Sequence, residues 1–233
     1  MKKLINTYML FTTLLVSFAA NAQNPISQKI QTEFGIGFAT SILHSGKELM
    51  RSQELREQGL SYFQNSQGVR KNVGSYRTPI GWVLTTAYYR PTKKVKGLML
   101  GTALRASLTG SQPNSDGYEE GYFFNYITVT AGAKYYPFTK NNLFMLGEFG
   151  MASVLTKNRF INSEGKQNYF HQFGVGTNVS VALGYSIKPF KNSEKTFDIK
   201  AIYQLNNTRV EVDNIGNDLW QFSGLNLIAS INF

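Results

Sequence analysis

The chain contains no cysteine. That excludes a disulfide scaffold, thiolate metal sites, thiol catalysis and a lipid anchor on cysteine. Charged residues make up only 16%, and only two histidines, His44 and His171, need weighing as catalytic groups. After the first twenty residues no apolar run approaches the ~18 needed for a membrane-spanning helix. A mean hydropathy of −0.23 also argues against a helical membrane protein. No nucleotide-binding loop appears, since Gly35-x-Gly37 and Gly174-x-Gly176 fall within strand patterns. What is abundant is aromatic and small: 13 Tyr, 17 Phe and 21 Gly in 233 residues. That composition points to β structure.

The N-terminus reads as a targeting segment. Met1-Lys2-Lys3 is positive, residues 9–20 are apolar apart from Thr12, Thr13 and Ser17, and Ala20-Asn21-Ala22 fits a small-x-small cleavage site. Residues 1–22 are therefore expected to be a cleaved signal peptide, leaving 23–233 as the mature domain. Export without a spanning helix leaves periplasmic, extracellular or outer-membrane β-barrel proteins.

Period-two alternation predicts eight strands, over about 30–43, 79–90, 97–108, 122–136, 143–155, 170–187, 196–205 and 224–233. In the third, Leu98, Leu100, Thr102, Leu104, Ala106 and Leu108 take one face and Met99, Gly101, Ala103, Arg105 and Ser107 the other. The polar face is built of Gly, Ser, Asn and a few charges, which suits a narrow lumen, hydrated or salt-bridged, rather than the bulky interior of a soluble barrel. Aromatics cap the apolar stretches: Trp82, Tyr88 and Tyr89; Tyr122 and Phe123; Tyr135 and Tyr136; Tyr169 and Phe170; Trp220 and Phe222. These predict girdles at two lipid–water interfaces.

The connections alternate in length. Long joins are predicted at 44–78, 109–121, 156–169 and 206–219, and short ones at 91–96, 137–142 and 188–195. Each short join carries a proline (Pro91, Pro137, Pro189) that ends pairing. Short periplasmic turns and longer outer loops on an even strand count are the outer-membrane pattern, with both termini periplasmic.

On these grounds the mature chain, ending in Phe233, resembles the small eight-stranded outer-membrane barrels of the OmpA/OmpX-like group. The segment Gly132-Ala133-Lys134-Tyr135-Tyr136-Pro137-Phe138 is similar to a strand end and turn of the "outer membrane protein beta-barrel domain" family. The terminal aromatic is similar to the signal read by the barrel-assembly machinery, although Ile231 and Ile228 depart from the usual pattern. The resemblance implies an all-β, eight-stranded antiparallel transmembrane barrel in the outer membrane of a two-membrane bacterium. No peptidoglycan-binding domain follows the barrel, so an anchoring role is not implied.

Six charges are predicted to face the lumen: Glu33, Arg105, Lys134, Glu148, Asp198 and Lys200. Three acids and three bases removed from water must pair. The expectation is an internal salt-bridge network; a proton or ion path is the alternative. An open pore does not fit, because side chains fill an eight-stranded barrel. His44-Ser45 with Ser115-Asp116 offers the residue types of a triad, while His171 lacks the His-x-Ser arrangement of the lipid A deacylase family. Asp116, Glu119 and Glu120 are a weak calcium candidate. No catalytic, cofactor or metal site is therefore expected.

The short turns hold Arg90, Lys93, Lys94, Lys96, Lys140, Lys188, Lys191 and Lys195 against Glu194 alone. In an exported chain this basicity is no nucleic-acid signature. It suits an acidic partner or lipid head groups. Within 44–78, residues 46–65 contain helix formers with Leu49, Leu60 and Phe63 roughly on one face. That leaves the loop open to a helix, a disordered segment or a plug; an ordered one would cap the barrel, lie on the outer leaflet or bind a partner.

The expected role is a closed-lumen structural or accessory subunit that docks other envelope proteins through the 44–78 loop and the basic turns. Outer-membrane lipid and lipopolysaccharide surround it, and the barrel-assembly machinery inserts it. A lipid A-modifying hydrolase or acyltransferase, or a conduit for small or hydrophobic solutes, are the alternatives.

Overall fold

A computed structural model describes residues 29–44, 62–64, 70–72, 78–111, 119–138, 142–161, 167–188, 195–212 and 216–233. The signal-peptide expectation for 1–22 lies outside the described residues. Eleven strands follow in order: β1 (Gln31–Thr40), β2 (Ile42–Leu43), β3 (Tyr62–Gln64), β4 (Arg70–Asn72), β5 (Ile80–Pro91), β6 (Leu98–Gly110), β7 (Glu119–Tyr135), β8 (Leu143–Ile161), β9 (Gln167–Ile187), β10 (Thr196–Val212) and β11 (Gly216–Asn232).

One antiparallel sheet runs β1-β5-β6-β7-β8-β9-β10-β11 and closes on itself through β1–β11. Closure pairs Glu33 with Asn232 and Ala39 with Asn226, and Thr32 and Phe233 exchange both backbone hydrogen bonds at the rim. At Ser41 the first stave breaks, because its N–H donates to the Pro79 carbonyl. β2 then resumes pairing with β11 at Ser223 and Phe222. With β1 and β2 forming one stave, the ring has eight. A closed ring leaves no edge unpaired, which lets a sheet stand in hydrocarbon.

The distribution of side chains is inverted relative to a soluble protein. Phe34, Ile36, Phe38, Leu104, Val129, Met151, Val181, Ile199 and Leu227 are exposed, while Glu33, Arg105, Lys134, Asp198, Lys200 and Asn226 are buried. The molecule is a transmembrane β-barrel: an apolar band faces lipid and the polar face lines the lumen.

Three expectations need correction. Of the aromatics assigned to girdles, Trp82, Tyr88 and Phe123 do face outward, but Tyr89, Tyr135, Tyr136, Trp220 and Phe222 are buried. Neighbouring residues on a strand point to opposite faces, so Tyr89 turns inward where Tyr88 turns outward, while Trp220 and Phe222, two apart, share the lumen face. Second, the predicted long joins at 156–169 and 206–219 are mostly strand, since β8 runs to Ile161, β9 starts at Gln167 and β10 and β11 approach to Val212 and Gly216. The join predicted at 109–121 is shortened at its ends, by β6 reaching Gly110 and β7 starting at Glu119. Third, of the readings open for 46–65, a helix does not reach the end of that segment, because Tyr62–Gln64 pairs antiparallel with Arg70–Asn72. Tyr and Phe at 62 and 63 favour a strand, and Gly68 lies between the two arms. The rest of that segment lies outside the described residues.

The staves differ in height. β1, β5 and β6 have 10, 12 and 13 residues, whereas β7 to β11 have 17 to 21. A tilted strand crosses hydrocarbon in ~9–11 residues. The excess rises as a wall on the side away from the short turns.

Candidate functional site: the lumen and its two rims

All six charges expected inside are there, and they form three ion pairs. Arg105 reaches Glu148 with both terminal nitrogens, at 2.5 and 2.8 Å. Lys134 donates to Asp198 at 2.5 Å and to Gln31 at 2.9 Å. Lys200 pairs with Glu33. No pair joins adjacent staves: Arg105 to Glu148 spans β6 to β8, Lys134 to Asp198 spans β7 to β10, and Lys200 to Glu33 spans β10 to β1. Each is therefore a brace across the lumen. Charge sums to zero within it, as desolvated ions require.

Neighbours complete the shell. Glu148 also accepts from the Tyr89 hydroxyl at 2.9 Å and the Ser180 hydroxyl at 3.0 Å. Lys134 Nζ lies 4.3 Å from the Phe144 ring centre and 5.5 Å from those of Tyr89 and Tyr136, within cation–π range. The Tyr136 hydroxyl meets Ser186 at 3.0 Å.

Above the charges sits a second layer. Phe124 and Phe222 meet edge to face at 4.8 Å, and Tyr126 lies 5.3 Å from Phe222. Leu43, Val154, Val210 and Trp220 fill the space around them. Gln204 donates to the Tyr126 hydroxyl at 2.6 Å, and Asn178 to Asn206 at 2.7 Å. The lumen was expected to be narrow and lined mainly by small polar residues; it is instead packed with rings. Glycine on the lumen face makes room for them: a Cβ at Gly184 would strike the Phe144 ring. Thr85, Thr128 and Ser230 hydroxyls, Glu33 Oε2 and Asp198 Oδ1 have no protein hydrogen-bond partner. Ordered water satisfies such buried groups. The residues that sequence reasoning missed are thus Tyr89, Phe144 and Phe222, while Tyr126 falls on the predicted lumen face with Lys134. Alternation from Glu148 back to Leu146 and Phe144 would have found the second.

The catalytic candidates are not brought together among the described residues. His44 follows β2 and bonds the Ser223 hydroxyl at 2.8 Å. Ser223 is 2% exposed, so its hydroxyl offers no accessible nucleophile. His171 lies on β9, opposite Lys157, on the outward face of the raised wall, with β10 between it and β11, the strand that His44 bonds. Ser45, Ser115 and Asp116 lie outside the described residues, as do the side chains of Glu119 and Glu120.

At the short-turn rim Arg90, Lys93, Lys94, Lys96 and Lys188 are exposed. Lys140, Lys191 and Glu194 lie outside the described residues. Phe233 is outward, 6.3 Å from Phe34, with Lys195 Nζ 4.8 Å from its ring.

No protein-family model matches the chain, and no curated protein matches it. Among solved structures it is similar in fold to Ail, the attachment invasion locus protein of Yersinia pestis, in complex with the heparin analogue sucrose octasulfate. That similarity has a TM-score of 0.48 and 16% identity over 88% of this chain and 99% of that one. Neisserial surface protein A follows at 0.40 and 12%, covering 87% and 95%. The outer membrane protein AlkL in DMPC bilayers follows at 0.36 and 12%, covering 92% and 94%.

Proposed function

We propose that the protein is a non-enzymatic accessory subunit of the outer membrane that docks other envelope proteins through the raised β7–β11 wall, the 44–78 segment and its rims. One observation carries this reading: the lumen is filled at two levels, by the braced ion pairs and by the Phe124–Tyr126–Phe222 layer. With no transit route inside, chemistry with other molecules falls to the outer surfaces. A cleaved signal peptide at 1–22 and insertion by the barrel-assembly machinery belong to the same reading. So does lipopolysaccharide around the outer half.

The test is extraction of the full chain from its own membranes in mild detergent, followed by native mass spectrometry. A stoichiometric protein partner supports the accessory role. A lone barrel, together with lipid A acylation that changes when His44 and His171 are replaced by alanine, would turn the assignment to a lipid A enzyme. Steady single-channel conductance would turn it to a solute conduit.

A further inference from the structure

Basic charge at the short-turn rim outnumbers acid, with Glu194 the one acid in the three short joins. In this half of the barrel Glu33, Glu148 and Asp198 are all internal and paired. Residues 90–96 hold Arg90, Lys93, Lys94 and Lys96 with no acid in the segment. All four are exposed, and none pairs with a carboxylate among the described residues.

The turn that carries them is built rather than loose. Thr92 N–H donates to the Leu98 carbonyl at 2.9 Å, and the Thr92 hydroxyl to the Val95 carbonyl at 2.8 Å. Gly97 supplies the left-handed conformation, φ 80°, that closes it. Its carbonyl then accepts from Tyr136 N–H at 2.9 Å, tying the turn to β7.

Arg90 is the informative member. It pairs with Leu100 on the outward face, one position below Tyr88 and Thr102. An arginine directed toward lipid at the edge of the apolar band extends its guanidinium to head-group depth, where anionic head groups attract it. Beside it runs an open groove of about 420 Å³ lined by Tyr88, Arg90, Pro91, Thr92, Leu100 and Thr102. One end is basic and hydroxylated, and the other is apolar and aromatic. Those are the two chemistries of a phospholipid.

The geometry points to a binding site for an anionic phospholipid of the periplasmic leaflet. Its phosphate lies against Arg90 and the Lys93, Lys94 and Lys96 ammonium groups, and its acyl chain lies in the groove over Leu100. The site requires the short-turn rim to face the periplasm and is independent of any docking by protein partners.

Full-length protein is placed in nanodiscs holding phosphatidylglycerol and phosphatidylethanolamine in equal amounts, and the lipids retained on release into detergent are identified by native mass spectrometry. The expected result is retention of phosphatidylglycerol over phosphatidylethanolamine by at least tenfold. Each exposed cation near an anionic surface contributes about fivefold. Arg90→Gln alone lowers the preference severalfold, and the fourfold variant R90Q/K93Q/K94Q/K96Q abolishes it, while Arg209→Gln at the opposite end leaves it unchanged. The variants' folding is checked by heat-modifiable gel mobility. Equal retention of both lipids would overturn the site, as would a preference that survives the fourfold variant. So would release of a stoichiometric protein partner by that variant with lipid retention intact. Sidedness is tested separately with Lys94→Cys, the only thiol in the chain. Protection from an impermeant maleimide in intact cells is expected. Labelling from outside would transfer the anion site to the outer leaflet and overturn the assignment to a periplasmic lipid.

Discussion

Glu148 accepts four hydrogen bonds, two from Arg105 and one each from Tyr89 and Ser180. Its neutralisation in Glu148→Gln leaves the Arg105 guanidinium buried without a counter-charge. Breaking such a pair costs about 3–5 kcal/mol. The loss is expected in urea unfolding from lipid vesicles, followed by tryptophan fluorescence. The double variant R105M/E148M removes both charges and recovers most of that stability, because apolar replacement of a whole pair is often near neutral. Ala at Gly184 tests the packing instead. The added methyl meets the Phe144 ring, and overpacking of this kind costs about 1–3 kcal/mol. Phe144→Leu in the same chain is expected to relieve part of it, a coupling that the two separate losses would not predict.

At the level of the strand, legibility in the sequence followed the environment of each face. Where one side meets lipid and the other the lumen, alternation is strict, and the faces of β5, β6 and β9 and all six internal charges could be read from it. Above the membrane the outward side of a strand meets water while the inward side stays buried, as at Asn206 and Thr208, so polar residues stand on both faces and the signal disappears. Asn206-Asn207-Thr208-Arg209 reads as loop, yet it forms ladder pairs with Phe222 to Leu219. The ring-filled interior was obscured for a different reason: Phe144 and Tyr89 sit beside outward-facing apolar residues, so hydrophobicity alone does not assign their side. The catalytic candidates were drawn from residue type, and nothing in the chain pattern tells whether loops bring them together. The raised hairpin makes a direct test. Replacing residues 158–170 by Asn-Gly joins Lys157 to His171, which already face each other, through a turn suited to antiparallel strands. The barrel is expected to keep its heat-modifiable mobility while any stoichiometric partner is lost in native mass spectrometry.

For the whole molecule, two independent fillings of one lumen predict electrical silence that single lesions do not break. Alanine at all four of Phe124, Tyr126, Trp220 and Phe222 strips the rings from the upper layer, but the three braces below still cross the barrel. Planar-bilayer recordings of that variant are expected to remain without discrete openings. Replacing all six paired charges by alanine as well opens both levels, and stepwise conductance is expected only then. Closure also has a mechanical side. The ladders that β1 forms, with β11 and with β5, are the shortest in the ring, whereas β8 and β9 pair along their full length. The first stave reaches its final neighbour only when the last has emerged from synthesis, so every shorter nascent chain presents two raw margins to its surroundings. The finished cylinder consequently has a preferred line of rupture. Under tension it parts along the first stave, and the tall wall is the last to unravel.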